Sequence, residues 1–149
     1  MIYTELTKKA LRLCFDAHSH QVDKSGMPYV FHPFHLAEQM DTEEAAIVAL
    51  LHDVVEDTDF TLEDLTEMGY PPAVVEALAL MTHDSGVPYM DYVRKISGNA
   101  LATKVKLADL HHNSDLSRLD VVDDKTLARV KKYAEAIALL ESVAREATN

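Results

Sequence analysis

Basic residues are scarce. Lysine and arginine number 14 against 25 aspartates and glutamates, a formal net charge of −11 with histidine neutral. That excludes duplex nucleic acid and anionic membrane as main partners, since both need a basic face. A small phosphorylated substrate stays open, because a metal ion and a few local cations can reverse the field inside a cleft. Cysteine occurs once, as Cys14 between Leu13 and Phe15. One thiol closes no internal disulfide, so it reads as a core residue in a reducing, cytoplasmic setting. Tryptophan is absent, and four glycines and five prolines leave few turns, as in a mostly helical chain. No apolar run approaches the roughly 18 residues of a membrane span. The opening residues, MIYTELTKKALRL, carry acid and lysine inside an amphipathic pattern, unlike a signal peptide. The 149 residues suit one domain, 1–149, with a sizeable core.

One stretch stands out, residues 45–57 (AAIVALLHDVVED). An unbroken apolar run leads into His52, Asp53, Glu56 and Asp57. The run demands burial, whereas buried charge must be paired, protonated or bound to a metal. On a continuous helix His52 and Glu56 lie four apart, as do Asp53 and Asp57, and form two adjacent ridges. The pattern reads either as a metal-centred hydrolytic site on a core helix or as a buried helix whose last turn reaches solvent.

Helices are expected throughout, with no sustained strand alternation. Thr4 caps a first helix running to about residue 20. A loop follows, with breakers at Ser25, Gly26 and Pro28. Pro33 sits in the first turn of the next helix and pins His32 at its start. Asp41, Thr42, Glu43 and Glu44 open a third helix reaching about residue 56. Thr61 and Asp64 resemble a capping box for a short helix that stops at Gly69. Pro71 and Pro72 start another, and residues 89–96 and 99–116 follow. A final helix opens at Asp123 and Asp124, with a stripe of Leu127, Val130, Ala134, Ile137, Leu140 and Ala144. The expected architecture is all-α, with seven or eight helices.

Eight histidines are unusually many for this length. His18 and His20 read as surface or capping residues at a helix end, and His35 as exposed. His83 and Asp84 repeat the His-Asp dipeptide but run straight into a Ser-Gly-Val-Pro break, so a helix end is the better reading. A constellation says more than any dipeptide. His32, His52, Asp53 and Asp109, from three helices, could close around one cation. Alone, Asp109 would read as a helix carboxylate paired with Lys106. Asn113, four residues beyond Asp109, shares its face. Mixed nitrogen and oxygen donors suit Mn²⁺, Fe²⁺ or Zn²⁺.

The segments AHSHQVDKSGMPYVFHP, ALLHDVVEDT and VKLADLHHN resemble the HD superfamily of metal-dependent phosphohydrolases. They are most similar to the hydrolase domain of the RelA/SpoT alarmone enzymes and to the small stand-alone alarmone hydrolases. The resemblance covers roughly residues 10–118 and implies a single HD-type helical domain without the synthetase domain of the bifunctional enzymes. It implies that His32, His52, Asp53 and Asp109 hold the metal, with Mn²⁺ the expected ion. Glu56 and Asp57 fall on the catalytic carboxylate pair, and Asn113 on a nucleotide-lining position. Lys24 and Tyr29 are expected phosphate or base contacts, with Lys104, Lys106 and Arg118 as nearby cations. The implied reaction removes the 3′-pyrophosphate of (p)ppGpp, giving GDP or GTP and pyrophosphate. Three positions depart from the family: Asp23 where a basic residue is usual, Leu110 where arginine is common, and Leu116 in place of a hydroxyl. Two other readings stand beside this one. The first is an HD phosphohydrolase acting on a nucleoside monophosphate or an NADPH-like cofactor, and the second a catalytically silent nucleotide-binding module. The resemblance leaves a homodimer open.

Overall fold

The computed structural model describes residues 1–148. The helices are α1 (Glu5–Ala17), α2 (Phe31–Glu38), α3 (Glu43–Leu51), α4 (Val54–Asp57), α5 (Leu62–Glu67), α6 (Pro72–Met81), α7 (Tyr89–Ser97), α8 (Ala100–Asn113) and α9 (Asp124–Thr148). A 3-10 turn, Leu116–Arg118, lies between the last two. Among the described residues the only β-type pairing is an isolated bridge between Val22 and Pro28. The fold is all-α, as expected. Eight helices result if the single turn α4 is counted with α3.

α3 is the centre. From Ala45 on it is apolar on every side, so that run can be stable only if covered on every side. Each residue from Ala45 to Leu51 is buried, beneath α1, α2, α6 and α8. Thr42 caps it by accepting the Ala45 N–H at 3.1 Å. Where one continuous helix is expected to residue 56, α3 instead stops at Leu51 and α4 begins at Val54. The His52 ring explains the break. Its Nδ1 lies 2.7 Å from the Ala49 carbonyl, the acceptor that a continuing helix offers to the Asp53 N–H. The two ridges of an unbroken helix are thus replaced by a joint that turns His52 and Asp53 inward and leaves Glu56 and Asp57 exposed.

Capping was legible locally. Thr4 pairs with Thr7 in a capping box on α1, and Thr61 with Asp64 on α5. α5 then gives way at Gly69, whose φ of +93° is one that side-chain-bearing residues avoid. Other boundaries are shorter than expected. α1 ends at Ala17, and α8 ends at Asn113 before the separate 3-10 turn. On α9 the buried row is Thr126, Ala136 and Leu140, with Val130, Tyr133 and Ile137 half covered. Leu127, Ala134 and Ala144 of the expected stripe are exposed. Packing on α7 and α8 thus covers Thr126 and Tyr133 rather than their neighbours Leu127 and Ala134. Cys14 is buried as expected; burial, then the charge of Asp53, pushes its thiol up to about 12.

Candidate metal and nucleotide site

Three helices deliver the polar cluster. The first turn of α2 carries His32, the end of α3 carries His52, and the core-facing side of α8 carries Asp109, each 3–4% exposed. His32 Nε2 lies 2.9 Å from Asp109 Oδ1. His52 Nε2 lies 3.4 Å from the same oxygen and 3.0 Å from Asp53 Oδ2. Because a carbonyl only accepts, the His52 Nδ1 facing Ala49 carries the hydrogen and Nε2 presents a lone pair. That Nε2 is buried and has no hydrogen-bond partner. It faces two carboxylate oxygens, lone pair to lone pair, an arrangement that a cation satisfies.

The ligand atoms of His32, His52 and Asp109 all lie within 4.8 Å of one another, and so do those of Asp53, Glu56 and Asp57. The two groups meet where Asp53 approaches His52. The donor set of imidazole and carboxylate fits a divalent first-row metal. The electrostatics fit as well. Burial, followed by the charges of Asp109 and Asp57, drives the Asp53 carboxyl well above its usual range. Burial would also raise Asp109, but the charge of Lys106, with the His32 and His52 imidazoles close by, outweighs it and holds Asp109 well below. Lys106 Nζ sits 2.9 Å from Asp109 Oδ2 and 5.3 Å from the centre of the Tyr92 ring. It is therefore a buried partner of Asp109, the pairing that Asp109 alone suggested, and does not line the cleft. Lys104 points elsewhere, pairing with Asp41.

A cleft of about 440 Å³ lies alongside, lined by the expected Lys24, Tyr29 and Asn113, and also by Arg118, Arg129 and Tyr133. Tyr29 and Asn113 join it to the cluster. The Tyr29 hydroxyl donates to Asp53 Oδ2, and the Asn113 amide donates to Asp109 Oδ1 at 3.0 Å. Glu56 and Asp57 stand at the exposed end. The Glu56 carboxylate accepts the His83 backbone N–H at 2.8 Å, and the Asp57 carbonyl accepts from Gln21 Nε2 at 3.1 Å. His83 thus holds Glu56 of the expected catalytic pair through its backbone, although its ring turns away onto Tyr92. His18 is buried, not superficial. It holds Gln21 through a 2.8 Å contact from Nδ1 and packs on Tyr29 with ring centres 4.9 Å apart. Arg129 and Tyr133 escape the sequence, because nothing in an amphipathic helix marks which residues will face a distant loop.

No family model matches the chain. It is 36% identical over 121 residues to the mouse guanosine-3′,5′-bis(diphosphate) 3′-pyrophosphohydrolase MESH1, across 70% of this chain and 66% of that protein. The zebrafish (Danio rerio) MESH1 is 34% identical over 125 residues, across 76% of this chain and 68% of that one. The chain belongs to the HD-type alarmone hydrolase family. It is also 34% identical over 143 residues to a GTP pyrophosphokinase of Myxococcus xanthus, but covers only 19% of it. The chain thus spans about a fifth of that relative and about two thirds of MESH1. A solved metazoan ortholog of SpoT that hydrolyses ppGpp matches with a TM-score of 0.69 at 24% identity, over 98% of this chain and 97% of that one. That likeness is one of fold.

The family departures find physical accounts. Asp23 builds the loop: its Oδ1 accepts the N–H groups of Ser25 at 2.9 Å and Met27 at 3.0 Å. Its second oxygen lies 3.8 Å from Arg118 Nη2. Position 23 thus carries an acid facing Arg118, and both side chains line the cleft. Leu110 is wholly buried in the core. Asp115 caps the 3-10 turn through Ser117, and Leu116 begins it.

Proposed function

We propose that this single HD domain, residues 1–149, hydrolyses the 3′-pyrophosphate of a guanosine-3′,5′-bis(diphosphate)-type nucleotide, giving GDP or GTP and pyrophosphate. The observation that carries the reading is the continuity of cleft and cluster. Tyr29 and Asn113 line the cleft and at the same time hold two metal-ligand candidates. His32, His52, Asp53 and Asp109 would hold the ion, with Mn²⁺ favoured over Fe²⁺ or Zn²⁺ by resemblance to the family. Once bound, the ion supplies positive charge for phosphoryl oxygens and acidifies water.

The chain's own groups account for the remaining steps. Lys24, Arg118 and Arg129 give the cleft a local positive field within an acidic protein. Water bonds to the phosphorus attached to the ribose O3′ while the O3′–phosphorus bond breaks, and its proton passes to one carboxylate of the Glu56–Asp57 pair. The leaving O3′ takes a proton from the other. The His83 N–H anchors one Glu56 oxygen and leaves the second for this work, general acid–base help worth roughly 10²–10⁴-fold. Adjacent carboxylates titrate as a pair, so the roles belong to the pair.

Purified protein with Mn²⁺ is incubated with ppGpp, GTP, NADPH and a nucleoside monophosphate. Pyrophosphate released from ppGpp alone supports the proposal, and orthophosphate from the other substrates overturns it. Glu56→Gln is expected to keep metal affinity while kcat falls at least about 100-fold; unchanged kcat removes Glu56 from the reaction.

A further inference from the structure

Behind His32 lies a second imidazole that the reaction above does not use. His32 Nδ1 and His112 Nδ1 are 2.7 Å apart. The rings are parallel to within 3°, with centres 5.0 Å apart. Parallel rings stacked face to face cannot bring two ring atoms nearer than their plane separation, about 3.4 Å at van der Waals contact. The rings therefore lie nearly in one plane, edge to edge, joined by an in-plane N–H···N hydrogen bond. Such a bond needs one hydrogen and one lone pair, so one ring donates and the other accepts.

We infer that His112 is a positioning residue for the metal site, accepting the Nδ1–H of His32 and so fixing His32 with the Nε2 lone pair turned toward His52 and Asp109. The inference rests on the reading of His32 as a metal ligand. A metal-binding imidazole almost always gives its other N–H to a carboxylate, a carbonyl or water, and that partner sets its tautomer and rotation. Here the acceptor is a neutral imidazole. His112 is itself well held. Arg118 Nη1 donates to its carbonyl at 2.8 Å, and the His35 ring packs 4.3 Å away, centre to centre. Arg118, which lines the cleft, therefore also steadies the residue behind His32.

Manganese affinity, read from the free-ion EPR signal, tests this in the wild type, His112→Leu and His112→Gln. Leucine removes the acceptor, whereas the glutamine carbonyl restores one. Leucine is expected to weaken binding 10–100-fold, and glutamine to recover most of that loss. Equal affinity of wild type and His112→Leu overturns the inference, as does a glutamine variant no better than leucine. Failure of the wild type to bind manganese would strike the metal reading itself, a distinguishable result. A second measurement needs no variant. In the zinc-loaded, ¹⁵N-labelled wild type, ring-nitrogen shifts are expected to show His32 protonated at Nδ1 and His112 unprotonated at Nδ1. The reverse assignment overturns the inference.

Discussion

Asp109 is the residue on which the site converges, and Lys106 is what keeps it charged in the core. Removing one partner of a buried ion pair leaves the other uncompensated and costs about 3–5 kcal/mol. Both side chains are well covered, at 12% and 6% exposure. Lys106→Met is thus expected to lower the stability of the metal-free protein by about 3 kcal/mol, with a smaller loss in Mn²⁺, where the ion takes over the charge of Asp109. Urea unfolding with and without Mn²⁺ measures both. His18 carries a pH dependence. Burial, only partly offset by Gln21, lowers it from its ordinary 6.5, so the unfolded chain binds a proton that the folded chain refuses. Stability therefore rises with pH where the unfolded state holds more protons, and falls as pH drops below about 6.5. His32 and His112 shift the same way, His112 to about 4 by burial and then Arg118. His18→Gln should flatten, without abolishing, the fall in urea midpoint between pH 7.5 and 5.5. An unchanged slope would show that His18 does not contribute.

At the scale of elements, α3 is the rigid mount and the α3–α4 joint the part that aims. The mount needs its neighbours: capped at Thr42 and apolar from Ala45 to Leu51, α3 buries every side of that run, so α1, α2, α6 and α8 must all pack on it. The joint exists because His52 spends its Nδ1–H on Ala49. That one contact ends the helix, sets the tautomer, and swings Glu56 toward the N–H of His83 after α6. At the other end of this region, Gly69 closes α5 with a positive φ and no neighbouring atom within 4 Å of where a Cβ would stand. Gly69→Ala is therefore limited by backbone strain alone and is expected to cost about 1–2 kcal/mol. Thermal unfolding checks this, and a larger loss would mean that the turn also packs.

Over the whole molecule, a net charge of −11 surrounds a cleft carrying Lys24, Arg118 and Arg129. The cleft thus sets local cations beside the carboxylate-rich candidate metal cluster, as binding of the proposed anionic nucleotide requires. An ion that binds only the folded state stabilises it by mass action, about 2.7 kcal/mol at 100 times its dissociation constant. Mn²⁺ is expected to raise Tm accordingly, EDTA to reverse the rise, and His52→Ala to eliminate it; a Tm indifferent to Mn²⁺ would argue against the cluster as a metal site.

Local chemistry was readable from residues alone. Caps at Thr4 and Thr61, the acidic start of the third helix, the stop at Gly69, the buried run ahead of His52 and the helical content all follow from side-chain preferences acting within a few positions. The association of His32, His52 and Asp109 was legible too, because polar groups set into apolar surroundings must find one another or a cation. Tertiary structure decided what depends on distant partners. It broke the third helix at His52, brought the His83 backbone to Glu56, buried His18 against Tyr29, and chose which side of α9 would face the cleft. These outcomes depend on packing between segments far apart in the chain, where hydrophobic spacing shows that a surface will be covered but not what will cover it.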